Sequence, residues 1–205
     1  GNVAMHAVEK CLQEGASVLS VSDSGGTLYF KDGMSEDDLK ELKKIKLDKH
    51  GALKDYDGGE FKKDKDPWDI DADIALPCAT QNEINEKEAK SLAKNGVLAV
   101  VEGANMPLTA KAQNIILDND IIYGPGKAAN AGGVAVSGLE RSQNATLQSW
   151  SLQRVDEELQ SIMKNIHNRC CENIKKRNGV IHYRKGTNIY GFKALADTLL
   201  SYGLK

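Results

Sequence analysis

The sequence predicts an α/β fold built on a doubly wound parallel sheet with helices on both faces. Three observations predict it. Strand-length apolar runs alternate with helix-period segments between Ile74 and Tyr123, the spacing of βαβ units. One of those runs, Val97–Val101 (VLAVV), is continuous, as in a strand covered on both faces. Each run ends in small or amide residues, and ligands bind at the carboxyl ends of parallel strands. The architecture is therefore Rossmann-like, followed by long C-terminal helices.

Composition removes competing classes. The chain has 205 residues, 40% hydrophobic and 27% charged, which is too apolar for wholesale disorder. Twenty-seven basic against 29 acidic residues argue against a dominant nucleic-acid face, and 5% aromatics against base-stacking platforms. No apolar run approaches the ~20 residues that span a bilayer, and no basic-plus-apolar leader opens the chain. Neither nucleic acid nor membrane is an expected partner. Cys11, Cys78, Cys170 and Cys171 lack metal-ligand spacing and fit a reducing, cytoplasmic setting. His6, His50, His167 and His182 form no cluster either.

Taken in order, Val3, Ala4, Ala7, Val8, Cys11 and Leu12 recur with helical period and stop at Gly15. Ser17–Ser22 (SVLSVS) reads as a buried strand, followed by a turn at Ser24–Gly26 and an extended piece at Leu28–Phe30. Ser35 with Asp38 starts a helix running to about Lys46. Lys43–Asp69 turns to Lys, Asp and Gly and reads as a solvated excursion. Ile74–Leu76 is a strand ended by Pro77. Asn85 with Glu88 caps a helix that stops at Asn95–Gly96. Thr109 opens a helix to about Asn119, and Ile121–Tyr123 is the last strand. Val134–Leu147 and Leu152 to about Lys176 are helical. A connection through Gly186 leads to a final helix, Phe192–Leu200.

The chemistry gathers at the strand ends: Asp23, the Cys78–Asn82 segment, Glu102–Asn105 and Gly124–Gly133. Residues 1–4 (GNVA) match the back half of a G-x-G-x-x-A dinucleotide fingerprint, and Asp23 sits 22 residues after Gly1, near the usual spacing to a ribose-binding acid. The first strand and first glycine of such a fingerprint would precede Gly1. Pro125–Gly133 (PGKAANAGG) is small throughout, and N–H groups at the following helix start suit anionic ligand groups. Ser137 lies one turn beyond Gly133 and could face the same space.

GNVA, SVSDSGGT, DIALPCATQNEI, GVLAVVEGANMPLT, PGKAANAGGVAVSGLERSQN and TNIYGFKALAD together resemble the glutamate dehydrogenase family, in particular its hexameric NADP-dependent branch. The resemblance implies reversible oxidative deamination of L-glutamate to 2-oxoglutarate and ammonia, a role in amino-acid metabolism and nitrogen assimilation. It implies a coenzyme-binding part that is not catalytically complete. The catalytic lysine and aspartate belong to an amino-terminal domain that nothing here matches, so no catalytic residue is expected in this chain. Residues 1–188 are the expected dinucleotide-binding domain, truncated at its start. Residues 189–205 form a helix expected to pack on the absent substrate domain. The complete enzyme is expected to be a homohexamer.

By the same resemblance, Gly1 and Asn2 form the pyrophosphate turn, and Ser22, Asp23 and Ser24 the adenosine-ribose pocket. Ala79 and Thr80, backed by Gln81, wall the coenzyme's ribose and phosphate. Asn105 is the amide at the nicotinamide ribose, Asn130 the amide near the nicotinamide, and Ser137 the serine on a substrate carboxylate. Cofactor choice is contested. Asp23 suits the hydroxyls of NAD and repels a 2′-phosphate by about 4 kcal/mol per unit charge at ~4 Å and an effective dielectric near 20. Lys46 and Lys49 align with the region that offsets this in NADP-using relatives, so NADP is expected, with NAD the alternative. A leucine- or phenylalanine-type dehydrogenase and a non-catalytic nucleotide-binding module are the competing functions.

Overall fold

The computed structural model describes residues 1–172, 174 and 176–203. Helix α1 (Asn2–Gln13) opens the chain, and Gly15, at φ +78°, turns it toward the first strand. Strand β1 (Ser20–Asp23) pairs antiparallel with β2 (Gly26–Tyr29), which pairs antiparallel with β3 (Glu60–Lys63). A second sheet is parallel, in the order β4 (Ile74–Ala75), β5 (Ala99–Val101), β6 (Ile122–Gly124). The expected parallel sheet is thus present, but the SVLSVS strand belongs to an antiparallel neighbour.

The Lys43–Asp69 stretch is not the solvated excursion its charges suggested. Helix α2 (Glu36–Lys43) runs into a wide π-helical turn at Lys44–Asp48, where the Lys49 N–H reaches back to the Lys44 carbonyl. Leu53 is then buried and β3 completes the sheet. Charged side chains hid these elements because β3 exposes both terminal residues, Glu60 and Lys63.

Local capping works as the sequence implies. Ser35 and Asp38 form a reciprocal capping box on α2, and Asn85 and Glu88 form one on α3 (Glu86–Lys94). The Thr109 hydroxyl accepts from the Ala112 N–H to start α4 (Ala110–Asp118). Helices α3 and α4 cover one face of the parallel sheet, enclosing Ala75, Val100, Tyr123, Ile84 and Ile116. Ile74 and Ile122, in register on the opposite face, are exposed. A second core joins α1, α2 and the antiparallel sheet through Val8, Leu28, Phe30, Leu39 and Leu42.

After β6 come a short helix α5 (Gly126–Ala129), α6 (Gly132–Ala145), α7 (Leu152–Cys171) and α8 (Tyr183–Ser201). The last helix begins nine residues earlier than Phe192, so the division drawn at 188/189 falls inside continuous helix. Gly186, read from sequence as a connector, is buried in α8 where a Cβ would lie 1.9 Å from the Cys170 carbonyl oxygen. The missing side chain lets α7 and α8 touch backbone to backbone.

Candidate nucleotide-binding rim

The carboxyl ends of the parallel strands are laced together by main-chain bonds. The Gly103 and Ala104 N–H groups both donate to the Pro77 carbonyl at 3.0 Å, tying the end of β5 to the end of β4. Further along, Asn82 N–H donates to Met106 O and Ile84 N–H to Pro107 O. Asn82 and Met106 take positive φ (59° and 51°), so both loops turn sharply at the rim. The start of α1 reaches the same place: a Cβ on Gly103 would meet Cys78 Sγ at 2.5 Å and Val3 Cγ1 at 3.3 Å. Burial pushes the Cys78 thiol up to about 11, a poor nucleophile and a small wall residue.

Gly1, Ala4, Ser22, Asp23, Lys46 and Leu53 line one cavity between α1 and β1. The fingerprint segment and the strand-end acid therefore face each other. Asp23 is held by three donors: the Gly25 N–H at 2.9 Å, the Leu53 N–H at 3.0 Å and the Lys46 ammonium at 3.0 Å. Burial alone would raise its carboxyl, but the Leu53 amide, Lys46 and the Gly25 amide outweigh that and hold it below the usual carboxylate range. The charge that would repel a 2′-phosphate thus already has an ammonium against it. Lys49 does not join this group; it lines a separate cavity with Glu41, Asp55 and Asp57.

At the other end of the rim, Asn130 Nδ2 donates to the Ala104 carbonyl at 3.1 Å, beside exposed Asn105. Asp23 and Gly1 thus share one cavity, and the same helix start, through Val3, lies close to Gly103, next to Ala104 and its bond from Asn130. Asn2 begins α1, whose start carries no side-chain cap. Ser24 is exposed in the β1–β2 turn, and Ala79, Thr80 and Gln81 are exposed after β4. Ser137 is exposed on α6, and none of the bonds lacing the rim reaches it.

Two acids hold the rim in ways the sequence did not assign to them. Glu83 accepts from the Ala79 and Thr80 N–H groups at 2.9 and 2.8 Å, so the strand-end loop is closed on itself. Burial pushes its carboxyl up despite those bonds. Glu102 occupies the Gly126 N–H at 2.6 Å, so this donor of the glycine-rich segment already holds an internal anion. Both acids lie within recognised motifs; the partners of Glu83 are three and four residues away, whereas those of Glu102, Tyr123 and Gly126, come from later in the chain. Among the described residues no group of His, Cys, Asp and Glu could hold a metal ion, and no helix is long and apolar enough to cross a membrane.

Comparison with known proteins gives a consistent result. The family model of glutamate/leucine/phenylalanine/valine dehydrogenases matches residues 1–203. The NADP-specific glutamate dehydrogenase of Psychrobacter sp. (strain TAD1) is 50% identical over all of this chain and 47% of its own length. The NAD(P)-specific glutamate dehydrogenase of Xylanibacter ruminicola is 46% identical over all of this chain and 47% of its own. The crystal structure of Plasmodium falciparum glutamate dehydrogenase superposes with a TM-score of 0.93 at 42% identity, covering 98% of this chain and 44% of that one. The chain spans about half the length of the curated relatives it matches.

Proposed function

This chain belongs to the glutamate/leucine/phenylalanine/valine dehydrogenase family, and on that premise we propose that it is the coenzyme-binding part of an NADP-dependent glutamate dehydrogenase. The complete protein would interconvert L-glutamate with 2-oxoglutarate and ammonia, passing hydride to or from the nicotinamide. One observation supports the reading: Asp23 and Gly1 line one cavity, and the helix that starts there lies beside Gly103, next to Ala104 and Asn130.

In this reading the pyrophosphate lies at Gly1 and Asn2, where an uncapped helix start favours negative charge. The adenosine ribose lies by Ser22, Asp23 and Ser24. Lys46 offsets the charge of Asp23 and so lowers the repulsion a 2′-phosphate would meet, with Lys49 outside that pocket. Ala79 and Thr80 wall the coenzyme, and Asn105 and Asn130 hold the nicotinamide end. Ser137 meets a substrate carboxylate. NADP is the preferred coenzyme, supported by the NADP-specific relative at 50% identity. Residues 189–203, with Phe192, Leu195 and Leu199 exposed on α8, would rest against the substrate domain, residues 204 and 205 of the expected segment lying outside the described residues. A homohexamer in the cytoplasm completes the proposal.

Calorimetric titration tests it with NADP+, NAD+ and inorganic phosphate as separate probes. Saturable binding of NADP+ stronger than that of NAD+ is expected. Equal response to dinucleotide and to phosphate would overturn the reading.

A further inference from the structure

Glu102 is 3% exposed at the end of β5, directly beneath the Pro125–Gly133 segment. One carboxylate oxygen accepts from the Tyr123 hydroxyl at 2.7 Å and the other from the Gly126 N–H at 2.6 Å. Both oxygens act as acceptors, the bonding pattern of a carboxylate. A neutral amide of the same shape could satisfy the Gly126 N–H, and burying a charge is costly, so the charge itself calls for a role.

Its position supplies one. The point where a Cβ on Gly126 would sit is 3.2 Å from Glu102 Oε2, 3.1 Å from Asn130 Nδ2 and 3.0 Å from the Ala104 carbonyl oxygen. The carboxylate and the Asn130 amide thus both crowd the same flank of Gly126, which brings them close to each other. The neighbouring cations hydrogen-bond to other side chains. The Lys127 ammonium donates to Asn188 on α8, and the Arg184 guanidinium donates to Gln113 and Asn114 on α4.

We propose that Glu102 is a positioning and specificity-determining residue that makes the site discriminate between coenzyme redox states. Its fixed negative charge beside Asn130 favours the oxidised coenzyme, whose nicotinamide ring is cationic, over the reduced coenzyme, whose ring is neutral. The inference rests on the proposed function, which puts the nicotinamide against Asn130.

The test is calorimetric titration of the protein with NADP+ and with NADPH, in the native form and as Glu102→Gln, Glu102→Met and Tyr123→Phe. Either neutral replacement should shift the ratio of the two Kd values toward NADPH by about five- to thirtyfold, from one charge acting at ~8 Å across an effective dielectric of roughly 20–40. Two neutral variants guard against one of them failing to fold. Tyr123→Phe removes a hydrogen bond and keeps the charge, so it should change both affinities together and leave their ratio intact. A ratio that moves less than about twofold in a folded neutral variant, or equally in Tyr123→Phe, overturns the role of Glu102 while leaving coenzyme binding standing. Failure of the native protein to bind either coenzyme would instead overturn the functional reading, and this inference with it.

Discussion

Replacing Lys46 by Met tests how the pocket tolerates a 2′-phosphate. The Lys46 ammonium lies 3.0 Å from Asp23 Oδ2, while two main-chain N–H groups grip the same carboxylate independently. Loss of the lysine therefore leaves the acid in place and changes the local charge from near zero to −1. At ~4 Å and an effective dielectric near 20, a unit charge on a phosphate costs about 4 kcal/mol. The two side chains keep 25% and 15% of their exposure, so solvent and salt screen this to roughly 1–2 kcal/mol. That corresponds to about a five- to thirtyfold loss of NADP+ affinity. NAD+ affinity should stay within about twofold, because the uncovered carboxylate can accept from a ribose hydroxyl. Titration of both coenzymes, with thermal melts to verify folding, reads the outcome. An equal fall for both, or none for NADP+, would refute the electrostatic argument.

Asp23→Asn should shift preference further toward NADP+, and the ratio of the two Kd values checks it. The same substitution bears on acid stability. The folded-state carboxyl lies below its ordinary 3.8, so its stabilisation is present above about pH 4 and is lost as the pH falls through the lowered value. Thermal melts below pH 4 should therefore fall less steeply in Asp23→Asn than in the native protein. Gly186→Ala forces a methyl onto the Cys170 carbonyl and should cost about 2–3 kcal/mol in denaturant unfolding; a change under about 0.5 kcal/mol would mean α7 and α8 separate freely. Ser137→Ala, in a protein containing the substrate domain, should raise KM for glutamate more than KM for coenzyme, as steady-state kinetics would show.

What the sequence displayed openly was local. The caps at Ser35, Asn85 and Thr109 involve partners two or three residues away, so their letters alone place the helix starts. The alternation from Ile74 to Tyr123 likewise yields the parallel sheet, and its strand ends carry most of the candidate rim. Pairings across long loops were hidden. Phe61 sits opposite Leu28 only because the intervening segment folds back, and its charged neighbours masked that strand. Gly186 looked like a connector because close helix approach and chain reversal favour the same residue. Lys46 and Lys49 were indistinguishable as letters, yet one meets Asp23 and the other lines a different cavity. Glu102 sat inside a recognised motif, but an acceptor's importance depends on which remote N–H it meets, here that of Gly126.

The wide turn at Lys44–Asp48 has a further bearing on coenzyme choice. An extra residue accommodated in one helical turn re-aims everything after it by roughly 100°. Lys46 lies inside that turn, so shortening the segment by a single residue would swing the ammonium away from Asp23 without altering any strand. A lineage could thus drift between phosphorylated and unphosphorylated dinucleotides through one small deletion in a helix, while the sheet that presents the acid stays untouched.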